Sequence, residues 1–320
     1  MLPLTIITGW LGSGKTTLLN QILSGNHGLR IAVIQNEFGE IGVDGELVIG
    51  AEFGLYELSN GCLCCAVNDD FLAALEEIAT MENPPEHLLI ETTGVADPSA
   101  LVLSILQHPD HGEDFVVDGV LTLVDAGNVS QQLSESNDVA AQIAFADKLI
   151  LNKVDMVSEE MLPSIEALLS TINPQAEILQ TSHANLDPYA LLDLGGFDLS
   201  RLNLPVSTHH HRGGRSDEIL SHSFQLKEPL HFSLFEEWLA GFLQTSGGGL
   251  YRMKGILAVT GEDRKLVFQG VRSLYNWRYG DLWENQIPES RLVFIGKNLP
   301  HETLEQGLQR CVATPSSSQS

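Results

Sequence analysis

The sequence predicts an α/β fold in which a mostly parallel β-sheet is covered by helices, followed by a small α+β domain. Up to about residue 182, short apolar runs alternate with helix-like stretches, a pattern typical of strand–helix–strand units. A glycine-rich segment separates the first strand from the first helix. Between residues 185 and 216, Gly, Pro and His become frequent, which indicates a linker. We therefore predict domains at residues 1–184 and 217–312.

The predicted strands of the first domain are short runs of apolar residues. They cover residues 4–8, 31–36, 88–91, 116–125, 148–151 and 178–181. The helices predicted between them cover residues 16–24, 69–81, 99–107, 139–145 and 159–171. Ligands of such sheets bind at the carboxyl ends of the strands, so residues that directly follow a strand are the first candidates for a site.

The second domain is predicted to begin with a strand after residue 217. A helix at 233–244, strands near 255–259, 265–271 and 291–295, and a helix from His301 follow it. The tail, residues 313–320, has the composition of a disordered segment. His209, His210 and His211 lie in the predicted linker, where they are either metal ligands or part of a polar tether.

Composition and charge exclude several classes of partner. The 320 residues are 43% hydrophobic and carry a formal net charge of −25. Such a surface repels nucleic acid and anionic membranes. The first apolar run breaks at Gly9, far short of the roughly 18 residues that span a bilayer. We expect a cytoplasmic protein, in which thiols stay reduced and serve metal binding or catalysis more often than disulfides.

The segment "GWLGSGKT", residues 9–16, matches the P-loop pattern G-x-x-x-x-G-K-[ST] between a strand and a helix. Glycines let such a loop fold around a phosphate and aim its N–H groups inward. Lys15 is expected to reach the β- and γ-phosphates, and the Thr16 hydroxyl to hold Mg²⁺. The predicted nucleotide-binding residues of this loop are Gly9, Gly12, Ser13, Gly14, Lys15, Thr16 and Thr17.

The segment "LILNKVD" places Asn152, Lys153 and Asp155 directly after a buried strand. A carboxylate matches the adjacent N1–H and N2–H₂ donors of guanine, whereas adenine lacks this donor pair. We therefore predict GTP rather than ATP as the nucleotide. In "HLLIETTG", Glu91 ends another strand, where a second acid near Mg²⁺ or the attacking water would lie, and the Gly94 N–H could contact the γ-phosphate.

Cys62, Cys64 and Cys65 lie within "NGCLCC", and the fourth cysteine, Cys311, lies in the other domain. Thiolates are soft ligands for Zn²⁺ or Cu(I), and less strongly for Co²⁺. Three thiols leave the ligand set incomplete, unless Glu37, Glu40 or a histidine completes it. A buried core role, a disulfide and a redox-active thiol are the other interpretations. The flanking polar and turn residues count against a core role and the reduced state of cytoplasmic thiols counts against a disulfide, so we favour metal binding.

The segment "QNEFGE" follows the second predicted strand and contains Glu37 and Glu40. In GTPases with a P-loop this position is a switch, a loop whose conformation depends on the γ-phosphate. We expect Glu37 and Glu40 to lie between Mg²⁺ and the thiols, which would couple the nucleotide to the metal. Asp44, further along the same segment, is interpreted as part of a solvated surface.

In this order, "GWLGSGKTT", "QNEFGE", "GCLCC", "ETTG" and "NKVD" resemble the CobW-type metallochaperone GTPases. These are relatives of the urease and hydrogenase nickel-insertion GTPases of the SIMIBI class. The resemblance covers about residues 4–182, and "RMKGILAV" and "KLVFQGV" are similar to the carboxyl-terminal domain of that family. Trp10, where Phe is more usual, and Gln35, where some relatives carry a carboxylate, depart from the pattern.

The resemblance implies a GTPase that holds Zn²⁺, or a similar ion such as Co²⁺, on Cys62, Cys64 and Cys65. GTP hydrolysis would drive or license transfer of the ion to a client metalloprotein. A homodimer is a further expectation of the family. Two alternatives stay open: a zinc buffer or sensor stabilised by GTP, and a P-loop ATPase or kinase with a structural cysteine cluster.

Overall fold

The structure is a computed structural model that describes residues 1–25, 28–36, 55–58, 69–107, 114–192, 194–195 and 219–313. The chain divides into two compact units, Met1–Phe197 and Asp198–Ser320. Among the described residues, no helix combines the length and apolar character that crossing a membrane requires.

The first unit alternates strands and helices, as the sequence predicts. Its strands are β1 (Leu2–Gly9), β2 (Ile31–Asn36), β3 (Leu55–Leu58), β4 (His87–Glu91), β5 (Phe115–Asp125), β6 (Lys148–Asn152) and β7 (Glu177–Gln180). Its helices are α1 (Lys15–Ser24), α2 (Asp69–Ala79), α3 (Pro98–Gln107), α4 (Val129–Glu135), α5 (Asn137–Phe145), α6 (Leu162–Ile172) and α7 (Pro188–Leu191).

The strands of this unit form one sheet, in the order β3-β2-β4-β1-β5-β6-β7 among the described residues. Every neighbouring pair in it is parallel, which confirms the predicted α/β sheet. The six predicted strands are all present, and β3 is an addition at the edge. The order places β1 between β4 and β5, so the carboxyl ends of these strands lie side by side.

Helices pack on both faces of this sheet. Leu18, Leu19 and Ile22 of α1 share a buried core with Leu121 and Leu123 of β5. Thr122 lies between these two leucines and therefore points to the opposite face, since side chains alternate along a strand. There its hydroxyl donates to the carbonyl of Gln142 in α5, at 3.0 Å. A sheet covered on both faces leaves the loops at its ends as the places where a ligand can bind.

The first unit stays packed beyond residue 184, where the sequence analysis places the start of the linker. Residues 188–191 form α7, and Leu191 is fully buried in the core beside α1. Further on, the N–H groups of Leu194 and Gly195 donate to the Asp118 carboxylate at 2.8 and 3.0 Å. The described part of the predicted linker is therefore attached to the sheet.

The second unit is α+β and antiparallel. Its elements are β8 (Ile219–Leu226), α8 (Phe232–Thr245), β9 (Leu250–Leu257), β10 (Arg264–Val271), β11 (Leu274–Leu282), β12 (Ser290–Lys297) and α9 (His301–Cys311). Its sheet order is β11-β10-β9-β12-β8, and β11 was not predicted from the sequence. Leu239 of α8 and Leu304 of α9 pack with Phe268 and Phe294 against one face of this sheet.

Candidate functional site

The phosphate loop, residues 9–16, joins β1 to α1 at the carboxyl end of the sheet. Gly9, Gly12 and Gly14 adopt φ angles of 141°, 75° and 106°, a region that L side chains rarely enter. A Cβ atom on Gly9 would lie 2.4 Å from the Leu123 carbonyl oxygen, and one on Gly14 would lie 2.5 Å from Asn152 Nδ2. The loop therefore needs glycine at 9 and 14 for space as well as for backbone conformation.

Two polar side chains of this loop suit an anionic ligand. The Lys15 ammonium donates to the carbonyl oxygens of Gly9 at 2.9 Å and Trp10 at 3.4 Å, so it lies over the loop. The Ser13 side chain is fully buried, and its Oγ has no hydrogen-bond partner in the described part of the chain. A buried hydroxyl without a partner is costly, and a phosphate oxygen is an acceptor that would satisfy it. These residues fit the nucleotide predicted from the sequence.

A chain of hydrogen bonds runs from the first turn of α1 to the end of β2. The Thr16 hydroxyl donates to Glu91 Oε1 at 3.2 Å, and Gln35 Nε2 donates to Glu91 Oε2 at 2.8 Å. Glu91 and Gln35 are both buried, at 7% and 8% exposure. The structure thus places Glu91 beside the predicted Mg²⁺ ligand Thr16. Hydroxyl and carboxylate oxygens are the ligands that Mg²⁺ prefers, so the pair fits this ion.

Gly94 packs directly against the phosphate loop. A Cβ atom added there would lie 2.7 Å from Leu11 Cγ and 2.9 Å from the Leu11 nitrogen. The Gly94 carbonyl accepts from the buried amide of Gln142 at 3.0 Å, which fixes the peptide from the side of α5. Only glycine fits between Leu11 and this hydrogen bond.

The N-K-x-D turn, residues 152–155, contacts the phosphate loop through two side chains. Asn152 is buried, its Nδ2 donates to the Ser13 carbonyl at 2.9 Å, and its Oδ1 accepts from the Ala184 N–H at 3.0 Å. Lys153 Nζ donates to the Gly12 carbonyl at 2.7 Å. Asn152 and Lys153 therefore hold loops together, a role the sequence did not reveal.

Asp155 is the residue of this turn that remains exposed. A hydrogen bond from Ser182 lowers the pKa of its carboxyl, against a smaller opposing effect of desolvation, and His183 contributes in the same direction as Ser182. The carboxylate is therefore ionised at neutral pH. An ionised carboxylate can accept both guanine donors, as the sequence predicts.

Asp125, at the end of β5, is a residue of this site that the sequence analysis missed. It is 3% exposed, and its Oδ2 accepts from Lys153 Nζ at 2.8 Å. Burial acts to raise the pKa of its carboxyl, but hydrogen bonds from Lys153 and Asn128 outweigh it and lower that pKa overall. The available signal was an acid at the carboxyl end of a buried strand, the same signal that identified Glu91.

The predicted metal ligands lie outside the described residues. They are Glu37, Glu40, Cys62, Cys64 and Cys65, and the histidine run 209–211 and Asp44 also lie outside. Among the described residues, no group of three or more His, Cys, Asp or Glu side chains could hold a metal ion.

The strands that precede the predicted metal ligands in sequence, β2 and β3, are neighbours in the sheet. Asn36 of β2 is paired in parallel with Leu58 of β3. Glu37 directly follows Asn36, and Cys62 follows Leu58 by four residues.

Cys311, in contrast, is buried in the second unit, where desolvation raises the pKa of its thiol to about 11.

Comparison with known proteins gives two family matches. Residues 3–180 match the family described as "CobW/HypB/UreG, nucleotide-binding domain", and residues 219–312 match the "Cobalamin synthesis protein cobW C-terminal domain". The chain is 33% identical to the zinc chaperone YjiA of Escherichia coli, over 95% of this chain and 96% of that protein. It is 34% identical to the zinc-regulated GTPase metalloprotein activator 1 of Schizosaccharomyces pombe, over 85% of this chain and 76% of that protein. The crystal structure of Zn(II)-bound YjiA GTPase covers 98% of this chain and 99% of its own, with 29% identity and a TM-score of 0.79.

Proposed function

The chain is a GTPase of the CobW/HypB/UreG family, and we propose that it holds Zn²⁺ on Cys62, Cys64 and Cys65 and transfers the ion to a client metalloprotein as GTP is hydrolysed. Two relatives named for zinc support the choice of ion, one called a zinc chaperone and the other a zinc-regulated metalloprotein activator. Thiolate ligands suit Zn²⁺, and their incomplete number suits an ion that must leave again.

In the nucleotide site, Lys15 and the glycines of the phosphate loop are proposed to bind the phosphates of GTP. Thr16 and Glu91 would hold the accompanying Mg²⁺, whose positive charge stabilises the charge that develops on the transferring phosphoryl group. Asp155 would accept the guanine donors, and the Gly94 N–H would contact the γ-phosphate. Lys15 would donate to the phosphate oxygens, a contact that counts most when charge accumulates on them.

The hydrogen-bond chain from Thr16 through Glu91 to Gln35 is the observation that carries the proposed coupling. Its first member lies in the phosphate loop, and its last lies two residues before Glu37. We infer that a change in what Thr16 and Glu91 bind alters the contact between Glu91 and Gln35. Hydrogen bonds to a charged group contribute roughly 1.5–3 kcal/mol. This is the range that couplings between two binding sites typically reach.

The proposal is tested by measuring the affinity for Zn²⁺ in the presence of a non-hydrolysable GTP analogue and in the presence of GDP. A tenfold or larger difference is expected, corresponding to about 1.4 kcal/mol of coupling. Equal affinities would instead support a zinc buffer or sensor that GTP merely stabilises, because a ligand shifts an equilibrium only through differential binding.

The location of the metal is tested with a matched pair of cysteine variants. Cys64→Ala should lower the zinc content of the purified protein, since it removes one thiolate from the proposed site. Cys311→Ala should leave the zinc content unchanged, because that thiol is 1% exposed and its raised pKa keeps it protonated. Unchanged zinc in Cys64→Ala would place the ion elsewhere.

A further inference from the structure

We propose that Asp125 is a positioning residue for the nucleotide: its carboxylate holds Lys153 against the phosphate loop and thereby ties that loop to the N-K-x-D turn. The inference rests on the nucleotide site of the proposed function, and it adds a residue that the P-loop and N-K-x-D motifs do not contain. Asp125 is assigned no contact with the nucleotide, so it acts through Lys153.

The position of Asp125 in the sheet makes this role available. Strand β5 lies between β1, which leads into the phosphate loop, and β6, which leads into the N-K-x-D turn. In register, Leu123 pairs with Gly9 on one side and Asp125 pairs with Asn152 on the other. The end of β5 is therefore the one place in the described sheet that adjoins both loops.

The contacts of Asp125 account for both carboxylate oxygens. Oδ1 accepts from the Gly127 N–H at 3.0 Å, while Oδ2 accepts from Asn128 Nδ2 at 3.0 Å and from Lys153 Nζ at 2.8 Å. The Asp125 side chain is 4% exposed, so water cannot replace a lost partner freely. A buried carboxylate with three donors is a fixed group, and it fixes in turn the ammonium that it binds.

Lys153 transmits this constraint to the phosphate loop. Its Nζ donates at the same time to the Gly12 carbonyl, at 2.7 Å, and Gly12 is one of the glycines with a left-handed backbone. Lys153 itself has a φ of 60°, a conformation that non-glycine residues adopt only when their surroundings hold them there. The Asp125–Lys153–Gly12 connection supplies such a constraint to both loops.

Loss of the Asp125 charge should therefore loosen the binding of the nucleotide more than it slows the chemical step. The side chains proposed to hold Mg²⁺, Thr16 and Glu91, belong to a separate set of hydrogen bonds that ends at Gln35. The bond from Asn152 to the Ser13 carbonyl is a second connection between the same two loops and remains in place. Weakened but not abolished binding is the expected outcome.

The test is Asp125→Asn, which keeps the shape of the side chain and removes its charge. The dissociation constant for N-methylanthraniloyl-GDP and the KM for GTP should both rise by about 10- to 100-fold, while kcat stays within about threefold. Asp187→Asn is a control for the change of charge at an exposed site. Asp187 also accepts a backbone N–H, from Tyr189 at 3.0 Å, but it belongs to the cap of α7, so its variant should bind GDP like the wild type.

A double-mutant cycle separates action through Lys153 from a general structural effect. In a Lys153→Met background, Asp125→Asn should weaken GDP binding by less than about threefold, because its route to the phosphate loop is already gone. Additive effects of the two substitutions would overturn the proposal, as would an unchanged GDP affinity in Asp125→Asn.

Should Asp125→Asn fail to fold, Asn128→Ala gives a milder test, since it removes one donor and keeps the charge. It should weaken GDP binding by about three- to tenfold, and wild-type affinity in a folded Asn128→Ala protein would contradict the proposal. A wild-type protein that binds no guanine nucleotide would instead refute the proposed function itself.

Discussion

The two ends of the parallel sheet in the first unit both bury polar side chains, but their hydrogen bonds are arranged differently. At the amino end, the Thr5 hydroxyl lies 2.8 Å from His87 Nε2 and donates to Asp118 Oδ2 at 3.1 Å. The N–H groups of Leu194 and Gly195 also donate to the Asp118 carboxylate. This network joins strands β1, β4 and β5 to the segment that contains Leu194 and Gly195.

At the carboxyl end, buried polar groups connect the phosphate loop to the N-K-x-D turn and to the ends of β4 and β2. They include a hydroxyl, Ser13 Oγ, with no partner among the described residues. The side chains at the two ends are of similar type, for Asp118 and Asp125 are both buried carboxylates with three donors. What distinguishes the ends is the glycine-rich loop that only β1 leads into. A buried acid in an α/β sheet therefore indicates function only when its partners belong to a ligand-binding loop.

The largest expected contrast between the two ends is between two lysines. Lys15→Met should lower the rate of GTP hydrolysis by about 100- to 1,000-fold with little change in unfolding temperature, because it removes a cation from the phosphate site. Lys148, at the start of β6, donates to the Ala190 carbonyl at 2.8 Å and lies 3.1 Å from Glu177. Lys148→Met should lower the unfolding temperature and leave the rate unchanged. Phosphate-release assays measure the hydrolysis rate of both variants, and thermal denaturation measures their unfolding temperatures. Equal losses of hydrolysis rate in the two variants would contradict the prediction.

The second contrast is between the buried carboxylates at the two ends of the sheet, Asp118 at the amino end and Asp125 at the carboxyl end. Asp118→Ala leaves two backbone N–H groups and the Thr5 hydroxyl without their acceptor, and we expect a loss of about 3 kcal/mol of stability. The KM for GTP should not change, since none of these groups belongs to the phosphate loop. Urea unfolding and steady-state kinetics test the two halves of this prediction. A raised KM at unchanged stability would mean that the amino end also serves the nucleotide.

The apolar character of each strand decided whether it could be predicted from the sequence. The strands of the first unit that pair on both sides are runs of apolar residues, and these were predicted. Strand β3 has four residues, lies at the sheet edge and includes Glu57, so it lacks such a run. Strand β11 is also an edge strand, and its Asn276, Arg278 and Asp281 break the apolar pattern. Edge position alone does not decide the outcome, because the edge strands β7 and β8 were predicted from their apolar residues.

In the candidate site, local motifs predicted the chemistry of single residues but not the contacts between motifs. The glycine positions of the phosphate loop follow from backbone conformation, which the motif encodes directly. The bond from Lys153 to Asp125 spans 28 residues, and the bond from Asn152 to Ser13 spans 139. Both depend on β5 and β6 lying next to β1 in this order, and a strand order cannot be deduced from the residues of one motif.

A smaller effect is expected from a substitution of Gln35, the last residue of the hydrogen-bond chain that begins at Thr16. Gln35→Leu keeps the buried volume but removes the donor to Glu91. GTP hydrolysis should continue, while the difference in Zn²⁺ affinity between the GTP-analogue and GDP states should fall from tenfold or more to less than about threefold. Isothermal titration with zinc in the two nucleotide states measures this difference. A variant that retains the full difference would show that coupling does not pass through Gln35.

The smallest expected effect concerns the second unit, where the half-buried imidazole of His222 packs against a second imidazole. His222 and His301 have ring centroids 5.2 Å apart, and burial, together with the charge of His301, lowers the pKa of His222 to about 4. In the unfolded chain, His222 binds a proton near pH 6.5, whereas in the folded unit it stays neutral down to about pH 4. The free energy of unfolding therefore falls as the pH drops from about 6.5 to about 4. Since the ring is partly exposed, solvent screening should limit the loss between pH 7 and pH 5 to about 1 kcal/mol. His222→Gln should show a smaller loss in urea unfolding at the two pH values, and an identical loss would assign the acid sensitivity to other groups.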